Sequence, residues 1–270
     1  MRCVILVSSF LTLMAGAMSA RADDVLLHAA GSLRPPLQEV AQAFEAATGA
    51  RVKATFGASG TLKDRIAGGE KAEVFASANM EHPIALHRAG KSSPVVLFAQ
   101  NQLCALARAG VAVSQSTLID RLLEPSIRVA SSTPKADPSG DYAWEAFRKI
   151  DALRPGAFVT LEKKALTLVG GPTSAPPPMD RVVYGALLAE NKADIFLAYC
   201  TLAKVAVVEN PGQTLIELPQ AIAVGADYGL TVMDGAAPAA YRLAMFILSP
   251  EGQAILARHG FRTPTRPQGS

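Results

Sequence analysis

The chain has little from which to build metal or redox chemistry: three cysteines and four histidines in 270 residues. One of the cysteines, Cys3, sits in the N-terminal apolar segment, and His28, His82, His87 and His259 show no ligand spacing, so no protein ligands for a metal cation are expected. Tryptophan occurs once, aromatics make up 6% of the chain, and the formal net charge is only +3. With the charges scattered and no aromatic stacking set, nothing points to nucleic acid. Beyond the N-terminus no apolar run approaches the roughly 18 to 20 residues that a membrane-spanning helix requires. No repeat of solenoid length is present either.

What is present begins with Arg2, an apolar stretch from Val4 to Met14, and small residues ending in Ala20-Arg21-Ala22. This is the layout of a secretory signal peptide, residues 1–22, with cleavage expected after Ala22 or, as the alternative, after Ala20. No cysteine stands at the cleavage site, which argues against a lipid anchor. The mature protein is therefore expected to be soluble and exported. About 250 residues remain, enough for one large domain or two lobes. A hydrophobic fraction of 50%, rich in Ala, Val and Leu, fits an α/β fold with helices packed on parallel strands.

Two neighbouring units carry most of the functional signal. The first runs Val25 to Ala30, then Gly31-Ser32, then an amphipathic stretch through Leu37, Val40, Ala41, Phe44 and Ala47 that stops at Gly49. The second runs Val52 to Phe56, then Gly57-Ala58-Ser59-Gly60-Thr61, then Leu62, Ile66 and Ala67 before Gly68-Gly69. In each, a serine opens a helix just after an apolar strand. Helix N-termini carry unpaired N–H groups and partial positive charge, so two of them with serine hydroxyls form an uncharged anion site. Either serine alone reads more readily as a helix cap. The pair, each beside a glycine that lets backbone approach a ligand, favours binding.

Further on, Ala72 to Ala78 reads as a strand and Glu81 to Ala89 as a helix. Val95–Ala99 and Leu103–Ala107 read as strands interrupted by Gln100-Asn101-Gln102, a crossing between lobes. A second α/β set follows: helix near Ser116 to Leu123, strand Arg128–Ala130, loop Ser131–Gly140, helix Tyr142–Ile150, loop Gly170–Pro178, helix Asp180–Glu190 and strand Ala193–Cys200. Strand-like segments near Ala221–Val224 and Tyr228–Val232 precede helices Pro238–Leu248 and Glu251–His259. These last helices have no room for a core of their own and are expected to return to the first lobe. The expected division is 23–101 plus 230–270 for a discontinuous first lobe and 102–229 for an inserted second one, with the ligand cleft at strand C-terminal ends between them. Cys104 and Cys200 both lie in apolar strand-like runs; a disulfide and two buried free thiols stand level as readings.

Ala30-Gly31-Ser32-Leu33, Phe56-Gly57-Ala58-Ser59-Gly60-Thr61-Leu62, Ala72 to Ala78, Asp137-Pro138-Ser139-Gly140-Asp141-Tyr142-Ala143 and Ala198-Tyr199 occur in an order and spacing that resembles the periplasmic molybdate-binding proteins of ABC importers, the ModA family. The resemblance covers nearly all of the mature chain. It implies a two-lobed periplasmic solute-binding fold, with two mostly parallel sheets flanked by helices and a cleft between lobes. It implies molybdate or tungstate as ligand, no cofactor, a permease of the inner membrane as partner, and a monomer.

Carried over position by position, the implied oxyanion ligands are Ser32, Ser59, the backbone donor at Ser139, a helix-start donor at or beside Arg181, and the hydroxyl of Tyr199. The chain departs from the family pattern at Arg181, a full positive charge beside a site usually built without one, and at Ser139, where a smaller residue is common. An arginine on a first helical turn is expected to face solvent; turned inward, its fork would favour a carboxylate or a more highly charged anion. Without the resemblance, Tyr199 is a core aromatic, Tyr142 and Trp144 are packing residues, Asp137, Asp141 and Asp180 are caps or turn formers, and Lys63 and Arg65 are solvated charges. Two other classes remain: a binding protein for another oxyanion or small carboxylate, and a secreted isomerase or lyase of small carboxylates. The latter lacks a convincing general base, since no histidine falls in any site loop.

Overall fold

The computed structural model describes residues 24–176, 178 and 181–264, so the expected signal segment 1–22 lies outside the described residues, as does Asp180. The first half begins with strand β1 (Val25–Ala30), a 3-10 turn at Gly31–Leu33, helix α1 (Arg34–Thr48), β2 (Val52–Gly57), α2 (Ser59–Ala67), β3 (Val74–Ser77) and α3 (Glu81–Arg88). Prolines at the start of α1 and the left-handed Gly49 behind it fix both ends of that helix, as the sequence signals predict.

The chain then crosses in one strand, β4 (Val96–Ala107). The polar triplet Gln100-Asn101-Gln102 does not interrupt it: those residues pair with the returning strand over the stretch where the two lobes meet.

The second half holds α4 (Leu118–Leu123), β5 (Val129–Ser132), α5 (Pro138–Leu153), α6 (Ala157–Lys164), β6 (Leu166–Val169), α7 (Val183–Ala189), β7 (Ile195–Tyr199), α8 (Cys200–Glu209) and β8 (Thr214–Glu217). Strand β9 (Gly225–Val232) leads back, and α9 (Pro238–Leu248) and α10 (Pro250–Arg258) close the chain on the first half. Helix α5 starts at Pro138, earlier than Tyr142, because Asp137 caps it by accepting the Ser139 N–H at 3.1 Å.

The strands follow the order β2-β1-β3-β9-β4-β7-β5-β6, with β8 also on β4. Pairing is parallel for β1 with β2 and β3, and for β5 with β6 and β7. Every pair that involves β4 or β9 is antiparallel. The expected parallel sheets thus hold for the outer strands of each half, while the two crossing strands run against them. Strand β9 pairs with β4 over Gly225–Leu230 and with β3 over Gly229–Val232, so it carries the chain from the crossing strand onto the first half.

Each half buries both faces of its sheet, as parallel strands require. The first packs Leu27, Leu37, Val40, Phe44, Leu243 and Leu256 on one face and Leu62, Ile66, Phe75 and Leu86 on the other. The second packs Leu122, Phe147, Leu161 and Leu197 on one face and Leu106, Leu188, Phe196 and Ala203 on the other. Cys104 in β4 and Cys200 at the start of α8 form a disulfide with Cα atoms 4.9 Å apart, which settles the two open readings in favour of the bond.

Candidate functional site

A cavity of about 270 Å³ lies between the halves. Its floor is formed where β1 and β2, adjacent and in parallel register, end together at Ala30 and Gly57. Neighbouring parallel strands bring the segments that follow them side by side, so Ser32 and Ser59 reach one wall. Tyr199, the last residue of β7, lines the cavity as well, with Asp137, Val169, Arg181, Val182 and Tyr184.

Neither serine caps its helix. Ser32 Oγ shares a hydrogen bond of 2.9 Å with the Tyr228 hydroxyl, and Ser59 Oγ accepts the Ala78 N–H at 3.1 Å. The second bond leaves the Ser59 proton free to be donated into the cavity. Behind Ser32, Asn101 Oδ1 accepts the Gln102 N–H at 2.9 Å, which fixes the amide so that Nδ2 faces Thr201 Oγ1 at 2.9 Å and Tyr228 Oη at 3.4 Å. An amide NH₂ only donates, so the Tyr228 proton is available for Ser32, and the Ser32 proton in turn for a ligand. Tyr228 is the site-supporting residue that sequence reasoning missed. A tyrosine in an apolar strand carries no signal that separates it from core packing.

The Tyr199 hydroxyl is buried without a hydrogen-bond partner, although the residue is only 2% exposed. Its ring packs against Tyr228 at 5.7 Å and Tyr142 at 6.3 Å. Burial raises the pKa of Tyr142, Tyr184, Tyr199 and Tyr228, so all four phenols stay protonated and can donate at any physiological pH. An orphaned buried donor of this kind costs about 1–3 kcal/mol until something accepts from it.

Ser139 does not line the cavity. Its N–H is taken by Asp137, and its buried hydroxyl, like those of Ser131 and Ser132, has no hydrogen-bond partner. Arg181 lines the cavity mouth but is exposed, its guanidinium 3.6 Å from Glu190, which is the solvent-facing arrangement expected of it. The nearby Val182 N–H is held by Glu209 at 2.8 Å. Asp137 fulfils its expected capping role and also faces the cavity, where burial pushes its carboxyl up to about 6. Lys63 pairs with Asp64 and Arg65 with Glu70 on the surface, as solvated charges do.

The two halves touch beside the serines. The Gly60 N–H donates to Ala136 O at 2.9 Å, and the Tyr142 hydroxyl donates to Ala78 O at 3.2 Å. The cavity is thus walled by both halves, with hydroxyl donors on each. No histidine and no lysine lines it, and no group of three or more metal-ligating side chains occurs among the described residues.

A two-lobed α/β fold with a donor-lined cavity at the strand ends is the architecture of a protein that captures small solutes. The sequence pattern of the family described as bacterial extracellular solute-binding protein matches residues 25–262, and this chain belongs to that family. It is 35% identical over 203 residues to the Pasteurella multocida (strain Pm70) protein PM1146, covering 75% of this chain and 84% of that one. It is 25% identical over 253 residues to the molybdate-binding protein ModA of Escherichia coli (strain K12), covering 90% and 91%.

Solved structures that share the fold include a sulfate-binding and a molybdate-binding protein. The sulfate-binding protein SubI of Mycobacterium tuberculosis H37Rv matches with a TM-score of 0.74 at 21% identity, covering 90% of this chain and 87% of that one. The Azotobacter vinelandii periplasmic molybdate-binding protein matches with a TM-score of 0.71 at 20% identity, covering 89% and 99%.

Proposed function

We propose that this protein captures a tetrahedral oxyanion in the periplasm and delivers it to an ABC importer permease, with molybdate or tungstate as the leading ligand. The observation that carries the reading is the Tyr199 hydroxyl, a buried donor without an acceptor in the same cavity as the Ser32 and Ser59 hydroxyls. Hydrogen bonds to a charged acceptor contribute about 1.5–3 kcal/mol each, roughly twice a neutral one, so a few fixed neutral donors can hold a dianion. The molybdate-binding and sulfate-binding relatives support the class of ligand.

Thermal unfolding with added anion tests it. At a ligand concentration a thousandfold above Kd, the bound native state gains about 4 kcal/mol. For a chain of this size that raises Tm by about 8–16 °C. No shift with millimolar molybdate, tungstate, sulfate or phosphate contradicts oxyanion capture.

One observation favours a second reading, a small organic anion. The cavity of about 270 Å³ exceeds the space of four oxygens at about 30 Å³ each, and its walls include Phe56, Val182 and Leu202. Competition settles between the two: an organic phosphate or a di- or tricarboxylate that displaces molybdate at lower concentration than sulfate does supports the larger ligand.

A further inference from the structure

The donor set of the cavity contains one member of the wrong kind for a bare dianion. Asp137 lines the same space as Ser32, Ser59 and Tyr199, and an ionised carboxylate only accepts. Oδ1 of Asp137 holds the Ser139 N–H. The rest of the carboxylate is pressed against the loop at Gly170, where an added Cβ would lie 2.8 Å from Oδ2 and where φ is +76°. The cap to the Ser139 N–H and the close approach of the Gly170 loop keep the carboxylate on the cavity wall.

We propose that Asp137 sets the protonation state of what is bound: the cavity takes an oxyanion together with one proton, carried either by the ligand or by the Asp137 carboxyl. This rests on the oxyanion reading of the site and adds a specificity rule to it. A proton-carrying oxyanion, such as hydrogen phosphate or a monoprotonated phosphate ester, donates to Asp137 as a carboxylate. A proton-free dianion, such as sulfate or molybdate, binds only when Asp137 itself is protonated. Binding is then a coupled uptake of anion and proton, and no other bond is made or broken.

The surrounding groups are consistent with such a device. Acting on Asp137 are the Ser139 N–H and Asp141 on its own helix and Ser132 on β5, with the neutral phenols of Tyr184 on α7 and Tyr199 on β7 nearby; the charged groups elsewhere on the cavity wall are Arg34, Arg181 and Glu209. Arg181 is shared with Glu190 and Glu209 holds the Val182 N–H. Burial is the largest influence and outweighs the lowering by the Ser139 N–H and by Ser132, and Asp141 adds a like charge, so the Asp137 carboxyl is pushed up to about 6.

The sign follows from linkage. A ligand that needs protonated Asp137 binds at full strength below about pH 6 and weakens about tenfold per pH unit above it, about 100-fold by pH 8.

The test is titration calorimetry from pH 5 to 8 with sulfate, molybdate at micromolar concentration, and inorganic phosphate, on the wild type and on Asp137→Asn. Asparagine caps a helix as well as aspartate does and keeps the shape of the side chain. Wild-type sulfate and molybdate affinities are expected to fall about 50-fold between pH 6 and 8, phosphate much less, and the Asp137→Asn curves for sulfate and molybdate are expected to be flat and tighter than wild type at pH 8. Repeating the wild-type sulfate titration at pH 7.5 in buffers of different ionisation enthalpy is expected to show close to one proton taken up per anion, without recourse to any variant. Superimposable wild-type and variant curves, or sulfate binding without proton uptake, overturn the role of Asp137 and leave anion capture standing. Absence of binding by every oxyanion in both proteins overturns the capture reading itself and this rule with it.

Discussion

Gly60 packs directly against the backbone of the opposite half, and replacing it with alanine is expected to separate ligand capture from folding. A Cβ at residue 60 would sit 2.2 Å from Lys135 O and 2.7 Å from Ala136 O, both backbone atoms on the opposite half. Ordinary contact begins near 3.4 Å, so the opposing loop must withdraw by about 1 Å or more. That movement breaks the Gly60 N–H to Ala136 O bond and strains the neighbouring Tyr142 to Ala78 bond. Each contributes about 1 kcal/mol net.

The clash lies between backbone segments of the two halves and not within either one, so the loss is expected to fall on the arrangement that walls the cavity. Alanine is also better than glycine inside a helix by up to about 1 kcal/mol. Gly60→Ala is therefore expected to keep or raise the ligand-free Tm and to weaken oxyanion binding by about tenfold or more, which corresponds to about 1.4 kcal/mol. Calorimetric titration gives the affinity and thermal unfolding without ligand gives the stability. Wild-type affinity in the variant would show that the contact at Gly60 plays no part in holding the bound state.

Three further outcomes follow from particular contacts. Tyr199→Phe removes a buried hydroxyl that has no partner without ligand, so ligand-free stability should stay level or rise by about 1 kcal/mol while oxyanion affinity falls about tenfold or more; a loss of ligand-free Tm would show that the hydroxyl is satisfied. Changing Cys104 and Cys200 to serine removes a link that spans 96 residues of chain and is expected to cost about 2–5 kcal/mol in urea unfolding, whereas an unchanged midpoint would speak against the bond. Asp194 accepts from the side chain and backbone N–H of Arg128 and from Arg108, and the Arg128 guanidinium holds its carboxyl below the usual range. A depressed carboxyl contributes stability above the unfolded value near 3.9 that is lost as pH falls toward the folded one. Asp194→Asn should therefore cost about 2–3 kcal/mol at pH 7, with the gap to wild type closing below about pH 4; a pH-independent gap would refute the ionic origin.

The first half was legible because its signals agree with one another: helical spacing of apolar residues, prolines opening α1, and glycines closing α1 and α2. The second half was less so. Helix α8 starts at Cys200 directly after β7, and the apolar run of the strand continues into a helix with almost no polar face, so no change of period marks the junction. The short edge elements α6, β6 and β8 were not separated from loop. At Gln100-Asn101-Gln102 polar side chains suggested a break, although in the crossing strand Asn101 uses its amide to organise Thr201 and Tyr228.

Within the site, Ser32, Ser59 and Tyr199 were found through position after strands and through resemblance, and the cavity brings them together. Ser139 was chosen for its N–H, which Asp137 occupies. The cavity-facing role of Asp137 was hidden by its cap role, since one side chain performs both and only the cap leaves a local pattern. Tyr228 is 196 residues from Ser32 in the chain, a separation that no local pattern bridges.

The central claim is that this cavity holds an oxyanion. Native mass spectrometry of the protein purified from cells without added ligand, and again after addition of molybdate, tungstate, sulfate and phosphate in turn, measures that directly. One oxyanion per chain, reduced or lost in the Ser32→Ala and Ser59→Ala variants, is the predicted result. A protein that carries no such mass on isolation and gains none from any of the four anions would contradict it.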